Sequence, residues 1–196
     1  MPTSSIPSSP RRIIIGITGA SGALYGIRAL QLLQAENVET HLVLSQAARV
    51  TIHQETSWKV DDVIRLAAVH HDVQDIGAPI ASGSFLTAGM LVAPCSIKTL
   101  SAIANSYADD LIVRAADVCL KEGRPLVLLV RETPLHRGHL RLMDLAARAG
   151  AVLFPPVPAF YAAPQSLDDV VTATVGRALL RLGFDNSAYA RWTGLR

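Results

Sequence analysis

Four β-rich runs, three of them largely apolar, constrain this chain more than any other feature: RIIIGIT at 12–18, the more mixed VETHLVLS at 38–45, GMLVAPCS at 89–96 and PLVLLVRE at 125–132. Each is followed by a segment with apolar residues at helical spacing, as in GALYGIRALQLLQAE after the first and IKTLSAIANS after the third. Strands that are apolar almost throughout, separated by helices, belong to a parallel sheet covered on both faces. The pattern predicts a doubly wound α/β fold in three layers, α/β/α. Trp58 to Ala68 reads as a further amphipathic helix, and HHDVQDIGAPIASGSF as a short strand followed by a glycine and serine loop. LHRGHLRLMDLAARAG reads as a helix ending near Gly150, AVLFPPVPAFY as a late strand turned by its prolines, and SLDDVVTATVGRALLRLG as the last helix.

At 196 residues the chain suits one well-buried domain. The expected organisation is a flexible leader over 1–10, one α/β domain over 11–184 and a C-terminal tail over 185–196, whose aromatics could dock at a ligand or subunit boundary. Eighteen Lys and Arg are interleaved with 16 acids for a net charge of +2, which argues against a nucleic-acid surface. No stretch approaches the roughly 20 apolar residues of a membrane span. The leader MPTSSIPSSPRR lacks the apolar core of a secretory signal, and two cysteines, Cys95 and Cys119, make no disulfide framework. The expected location is the cytoplasm.

The first strand runs into IIIGITGASGALYG, with glycines at 16, 19, 22 and 26. Such a loop opening a helix attracts an anion through backbone N–H groups, and it is also compatible with a tight structural turn. Dinucleotide sites place an acid at the end of the second strand to receive ribose hydroxyls. Here that position is Ser45, which disfavours a dinucleotide and leaves an anion contact or a helix N-cap. Arg131 and Glu132 follow an apolar strand directly, where open sheets gather ligands, and pair an anion clamp with a proton-handling carboxylate; a surface ion pair is the alternative. His70 and His71 read as surface or loop-packing residues, and His136 and His139 share a helical face without a metal-binding partner. Cys95 reads as a buried cysteine, and Ser21 and Ser84 lack the setting of a hydrolase nucleophile.

The series GITGASGALYG, SGSF, PCSIKTLSAIA, RAADVCLKE, PLVLLVRETPLHRGHLRLM, PPVPAFYAAPQSLDD and the late RW closely resembles the UbiX-type flavin prenyltransferases, a flavoprotein family related to phosphopantothenoylcysteine decarboxylases. The resemblance implies a Rossmann-like, flavodoxin-like single domain. It also implies an enzyme that transfers dimethylallyl from dimethylallyl monophosphate to N5 and C6 of reduced FMN, releasing phosphate. The product, prenylated FMN, serves a UbiD-type decarboxylase, and the implied assembly is a homo-oligomer, a dodecamer. By motif match, Gly19, Ala20 and Ser21 approach the flavin with Ser21 near N5. Ser45 contacts the FMN phosphate, Ser96 and Thr99 give further flavin contacts, and Arg131 lies at the flavin. Lys121, Tyr161 and Arg177 resemble the residues that bind the donor phosphate, with Arg114 contributing near the flavin and subunit boundary. Glu132 resembles the carboxylate that assists phosphate departure, while Ser21 and Glu55 both fit the proton route. The implied chemistry needs no metal, because the basic cradle neutralises the leaving phosphate. Ile76 stands where some relatives carry tryptophan, and PIASGS lacks the PASANT pattern of the decarboxylases. Decarboxylation of a cysteine-derived substrate is the nearest enzymatic alternative, and a noncatalytic flavin carrier is the alternative from another class.

Overall fold

The β-rich runs form the strands expected of them. In the computed structural model, which describes residues 11–194, they are β1 (Arg12–Ile17), β2 (Glu39–Leu44), β4 (Met90–Cys95) and β5 (Leu126–Val130), with β3 (Val69–His71) and β6 (Val152–Leu153) at the margins. The leader over 1–10 and the last two residues of the tail lie outside the described residues. The six strands form one sheet in the order β3-β2-β1-β4-β5-β6, and every pairing is parallel. This is the Rossmann order.

Seven α-helices are described: α1 (Ala23–Ala35), α2 (Gln46–Glu55), α3 (Val60–Arg65), α4 (Ile97–Ala104), α5 (Leu111–Lys121), α6 (Arg137–Arg148) and α7 (Leu167–Leu180). Alternation along β1 divides them between the two faces. Ile13, Ile15 and Ile17 pack with α1, α2, α3 and α7, whereas Ile14 packs with α4, α5 and α6. Burying each such side chain contributes about 1.5–3 kcal/mol, so both layers are held by the same strands. Helix and sheet meet closely at Gly26 of α1, where a Cβ would lie 2.4 Å from the Ala93 carbonyl oxygen and 2.6 Å from the Ile17 side chain. That glycine lets α1 settle over the junction of β1 and β4.

The helix starts are written locally. Ser45, Ser96 and Asp110 accept hydrogen bonds from the N–H groups of Ala48, Thr99 and Val113, satisfying first-turn donors that have no helical partner. Ser166 and Asp169 close a reciprocal capping box on α7, as the sequence SLDD suggests.

Candidate functional site at the switch point of the sheet

Chain connections leave β1 and β4 in opposite directions, so a crevice opens beyond the C-terminal ends of these neighbouring strands. Thr18 stitches its floor: its hydroxyl donates to the Pro94 carbonyl at 2.7 Å and accepts the Ser96 N–H at 2.8 Å. Sequence reasoning missed Thr18. Its only local signal is a hydroxyl residue between an apolar strand and a glycine loop.

The loop over 18–22 is shaped by two glycines for different reasons. A Cβ at Gly19 would lie 2.3 Å from that of Ala47, so this glycine seats the loop against the start of α2. Gly22 has φ 103° and ψ 35°, in the left-handed region, and gives α1 no side-chain cap, a conformation only glycine adopts cheaply. Its N–H donates to Glu55 Oε2 at 2.7 Å. Glu55, at the end of α2, is thereby brought one residue from Ser21. The starts of α1, α2 and α4 gather at this end of the sheet, an arrangement whose amide dipoles favour negative charge in the crevice.

Ser45 is the N-cap of α2, and its N–H donates to the Ile17 carbonyl at 3.0 Å; the capping role weighed from sequence is therefore present. Ser96 caps α4, and its hydroxyl donates to Thr99 Oγ1 at 3.2 Å. Arg131 begins the loop after β5, where its N–H donates to the Cys95 carbonyl at 3.1 Å. Burial pushes the Tyr25 phenol up, and the Arg131 charge opposes that shift, so α1 contributes an aromatic residue beside Arg131 that the sequence did not mark. Glu132 is exposed, and its Oε1 accepts the Thr133 N–H at 3.0 Å. Ser21, Ala20, Glu55, Ser45, Ser96, Thr99, Arg131 and Glu132 thus share one end of the sheet.

The four residues matched to the donor phosphate do not converge within one copy. Arg114 and Lys121 lie on α5, on the face of the sheet opposite α7. Arg114 Nε donates to the Ala81 carbonyl at 3.1 Å, and its Nη1 donates to Asp117 Oδ2 at 3.0 Å. Lys121 pairs with Glu122 at 2.5 Å, where the chain turns into the start of β5, the end away from Arg131. A crossover helix runs antiparallel to its strands, which fixes that separation. Tyr161 lies in a single helical turn over Phe160–Ala162, and Arg177 lies on α7. Beside these two is a cavity of about 800 Å³ whose lining includes Arg28, Phe154, Tyr161, Arg177 and Tyr189.

His71 is buried within β3 and lies 2.8 Å from His41 Nδ1, which goes beyond the surface or loop-packing reading. His136 is the N-cap of α6, with its ring 3.6 Å from that of His139. Burial pushes the thiols of Cys95 and Cys119 up to about 12, consistent with buried, unreactive cysteines. Ile76 is 65% exposed.

Among the described residues, no helix is long and apolar enough to cross a membrane, and no group of three or more His, Cys, Asp or Glu is arranged for a metal ion. The Flavoprotein family model matches residues 2–179. Flavin prenyltransferase UbiX of Escherichia coli strain K12 is 59% identical over 187 residues, spanning 94% of this chain and 99% of that protein. The chain belongs to the UbiX-type flavin prenyltransferases. Among solved structures similar to this flavoprotein is AnUbiX (PadA1) in complex with FMN and dimethylallyl pyrophosphate. It is 50% identical, with a TM-score of 0.93 and coverage of 95% of this chain and 99% of that one. Another is a dodecameric FMN-dependent UbiX-like decarboxylase from Escherichia coli O157:H7, 49% identical with a TM-score of 0.90, covering 93% and 100% of the two chains. The prenyltransferase family thus accounts for the six-stranded sheet and its switch-point crevice together.

Proposed function

We propose that this protein is a cytoplasmic flavin prenyltransferase that moves dimethylallyl from dimethylallyl monophosphate to N5 and C6 of reduced FMN, releasing phosphate. The prenylated FMN passes to a UbiD-type decarboxylase. The observation that carries the reading is the gathering of hydroxyl donors, helix N-termini, Arg131 and Glu132 at one crevice, in a chain 59% identical to a flavin prenyltransferase. The donor set fits FMN: neutral hydroxyls and amides for phosphate and ring edges, with one guanidinium for an electron-rich ring system.

Reduced FMN supplies the electron pairs that form the two new carbon bonds. Gly19, Ala20 and Ser21 would line the flavin edge, Ser45 would meet its phosphate at the start of α2, and Ser96 and Thr99 would meet the ring from α4. Arg131 would hold the flavin plane. Glu132 would donate a proton toward the leaving phosphate and lower its basicity. Glu55 accepts the Gly22 N–H beside Ser21, so Ser21 and Glu55 form the proposed route for the proton lost from C6. Once one end of the prenyl group is attached at N5, a proton added to the middle carbon of its double bond makes the far carbon electrophilic; C6 bonds to that carbon and gives up its own proton, so the closure consumes one proton and releases one. This closure is intramolecular and gains several kcal/mol from proximity, on the order of 7–11 at best.

The phosphate cradle is proposed to form between copies, with Arg114 and Lys121 from one copy and Tyr161 and Arg177 from another, which accounts for their separation within a single chain. A dodecamer is the proposed assembly, with a domain over 11–184 and the tail over 185–196 at a subunit boundary. Incubation with anaerobically reduced FMN and dimethylallyl monophosphate should raise the flavin mass by one dimethylallyl unit. An FMN-loaded protein that gives no adduct and instead decarboxylates a cysteine-derived acid would overturn the assignment.

A further inference from the structure

After α7 the chain folds back along that helix through residues 184–192. Asn186 fastens it there: Nδ2 donates to the Gly176 carbonyl at 3.1 Å and to the Phe184 carbonyl at 3.0 Å, and Oδ1 accepts the Ala188 N–H at 3.0 Å. A Cβ at Gly176 would lie 2.7 Å from Asn186 Oδ1 and 2.9 Å from Ala188 Cβ. The bare backbone at 176 is therefore what lets the returning segment lie flat.

The residue after that glycine is Arg177. Its guanidinium carbon stands 5.5 Å from the centre of the Tyr189 ring, and Tyr189 is only 9% exposed. The same segment reaches Tyr161, whose hydroxyl donates to the Ala190 carbonyl at 3.4 Å and whose ring meets Trp192 edge-on at 5.5 Å. Asp185, the only acid in the returning segment, pairs with Arg191 at 2.5 Å. Arg177 is thus steadied by a π face rather than by a carboxylate that would compete with an incoming anion.

We infer that Tyr189, held by Asn186, is a positioning residue for the donor phosphate, because its buried ring presets the Arg177 guanidinium while its neighbours tie down Tyr161. The inference rests on the proposed assignment of Arg177 and Tyr161 to that phosphate. A long exposed arginine loses rotamer freedom when it grips an anion, and a ring that already restricts it removes part of that cost. Tyr189 itself touches neither the flavin nor the donor in this account.

The test is calorimetric titration of dimethylallyl monophosphate into full-length protein loaded with oxidised FMN, alongside FMN affinity and melting temperature. Tyr189→Leu should weaken donor binding by about tenfold, with FMN affinity within about twofold of the parent. Tyr189→Phe keeps the ring and should match the parent. Arg177→Ala should also weaken donor binding, and adding Tyr189→Leu to it should cause little further loss, because the ring then has no guanidinium to hold. Parental donor affinity in Tyr189→Leu, equal losses in the Leu and Phe variants, or a parallel fall in FMN affinity would overturn the inference while Arg177→Ala still upheld the phosphate assignment. Parental donor affinity in Arg177→Ala would remove the assignment and the inference together. Should Tyr189→Leu not fold, Asn186→Ala, which frees the segment without touching the ring, is read by the same criteria.

Discussion

Cys95 ends β4 and Glu132 follows the neighbouring β5 by two residues, yet their surroundings give them opposite chemical prospects. Glu132 is exposed at the strand end and carries the proposed proton transfer. Glu132→Gln preserves its shape and hydrogen bonding but not the acid, so kcat for adduct formation should fall by about 10²-fold or more while FMN affinity holds. Single-turnover flavin mass against time measures this, and an unchanged rate would refute the role. Cys95 is fully buried, and burial pushes both its thiol and that of Cys119 up to about 12. Neither should react with an aromatic disulfide reagent at pH 8 until the chain is unfolded. Labelling of the native protein on the timescale of mixing would show that one is accessible. The sequence made Cys95 legible through its apolar strand. It could not show Thr18 as the tie between two strand ends, because that contact spans 76 positions.

At the level of elements, the identity of β1, β4 and β5 was legible because burial on both faces writes itself as a largely apolar run. Pairing register was not. The sequence separates His41 from His71 by 30 positions, and the register of β2 against β3 brings them together. His41 Nε2 lies 2.9 Å from Glu39, which also accepts from Arg12 Nε at 2.8 Å. His41 Nδ1 lies 2.8 Å from His71 Nε2, and Phe85 packs edge-on against the His41 ring. Burial holds the His71 pKa below its usual value, with further depression from His41 and His70 and a counter-effect from Asp75. The unfolded chain therefore takes up this proton before the folded one does, so stability falls as pH drops past about 6.5. Glu39 adds to the loss in stronger acid, because the Arg12 hydrogen bond, then that of His41, depresses its carboxylate. Its contribution is present above the unfolded value and disappears as pH falls through the folded one. Urea unfolding at pH 8, 6 and 5 should show this decline, and His71→Gln should flatten it between pH 8 and 5. An identical slope in the variant would assign the acid sensitivity elsewhere.

For the whole molecule, the decisive arrangement is the distribution of Arg114 and Lys121 to one face of the sheet and Arg177 to the other. The motif order in the sequence names these residues without revealing that separation, which depends on the direction of the crossovers. A cradle shared between copies predicts complementation. Lys121→Ala and Arg177→Ala preparations, each poorly active, should recover part of the parental activity after joint dissociation and reassembly, because some sites then receive both intact residues. No recovery, with mixed assemblies verified by mass, would contradict the shared cradle. Lys121 and Arg131 bracket opposite ends of one short strand, so every copy would serve two reaction centres at once. Gene dosage then acquires an unusual form. In a cell making parental chains alongside chains that lack both Lys121 and Arg177, output should fall with the square of the parental fraction, and a defective allele would be felt beyond its own share.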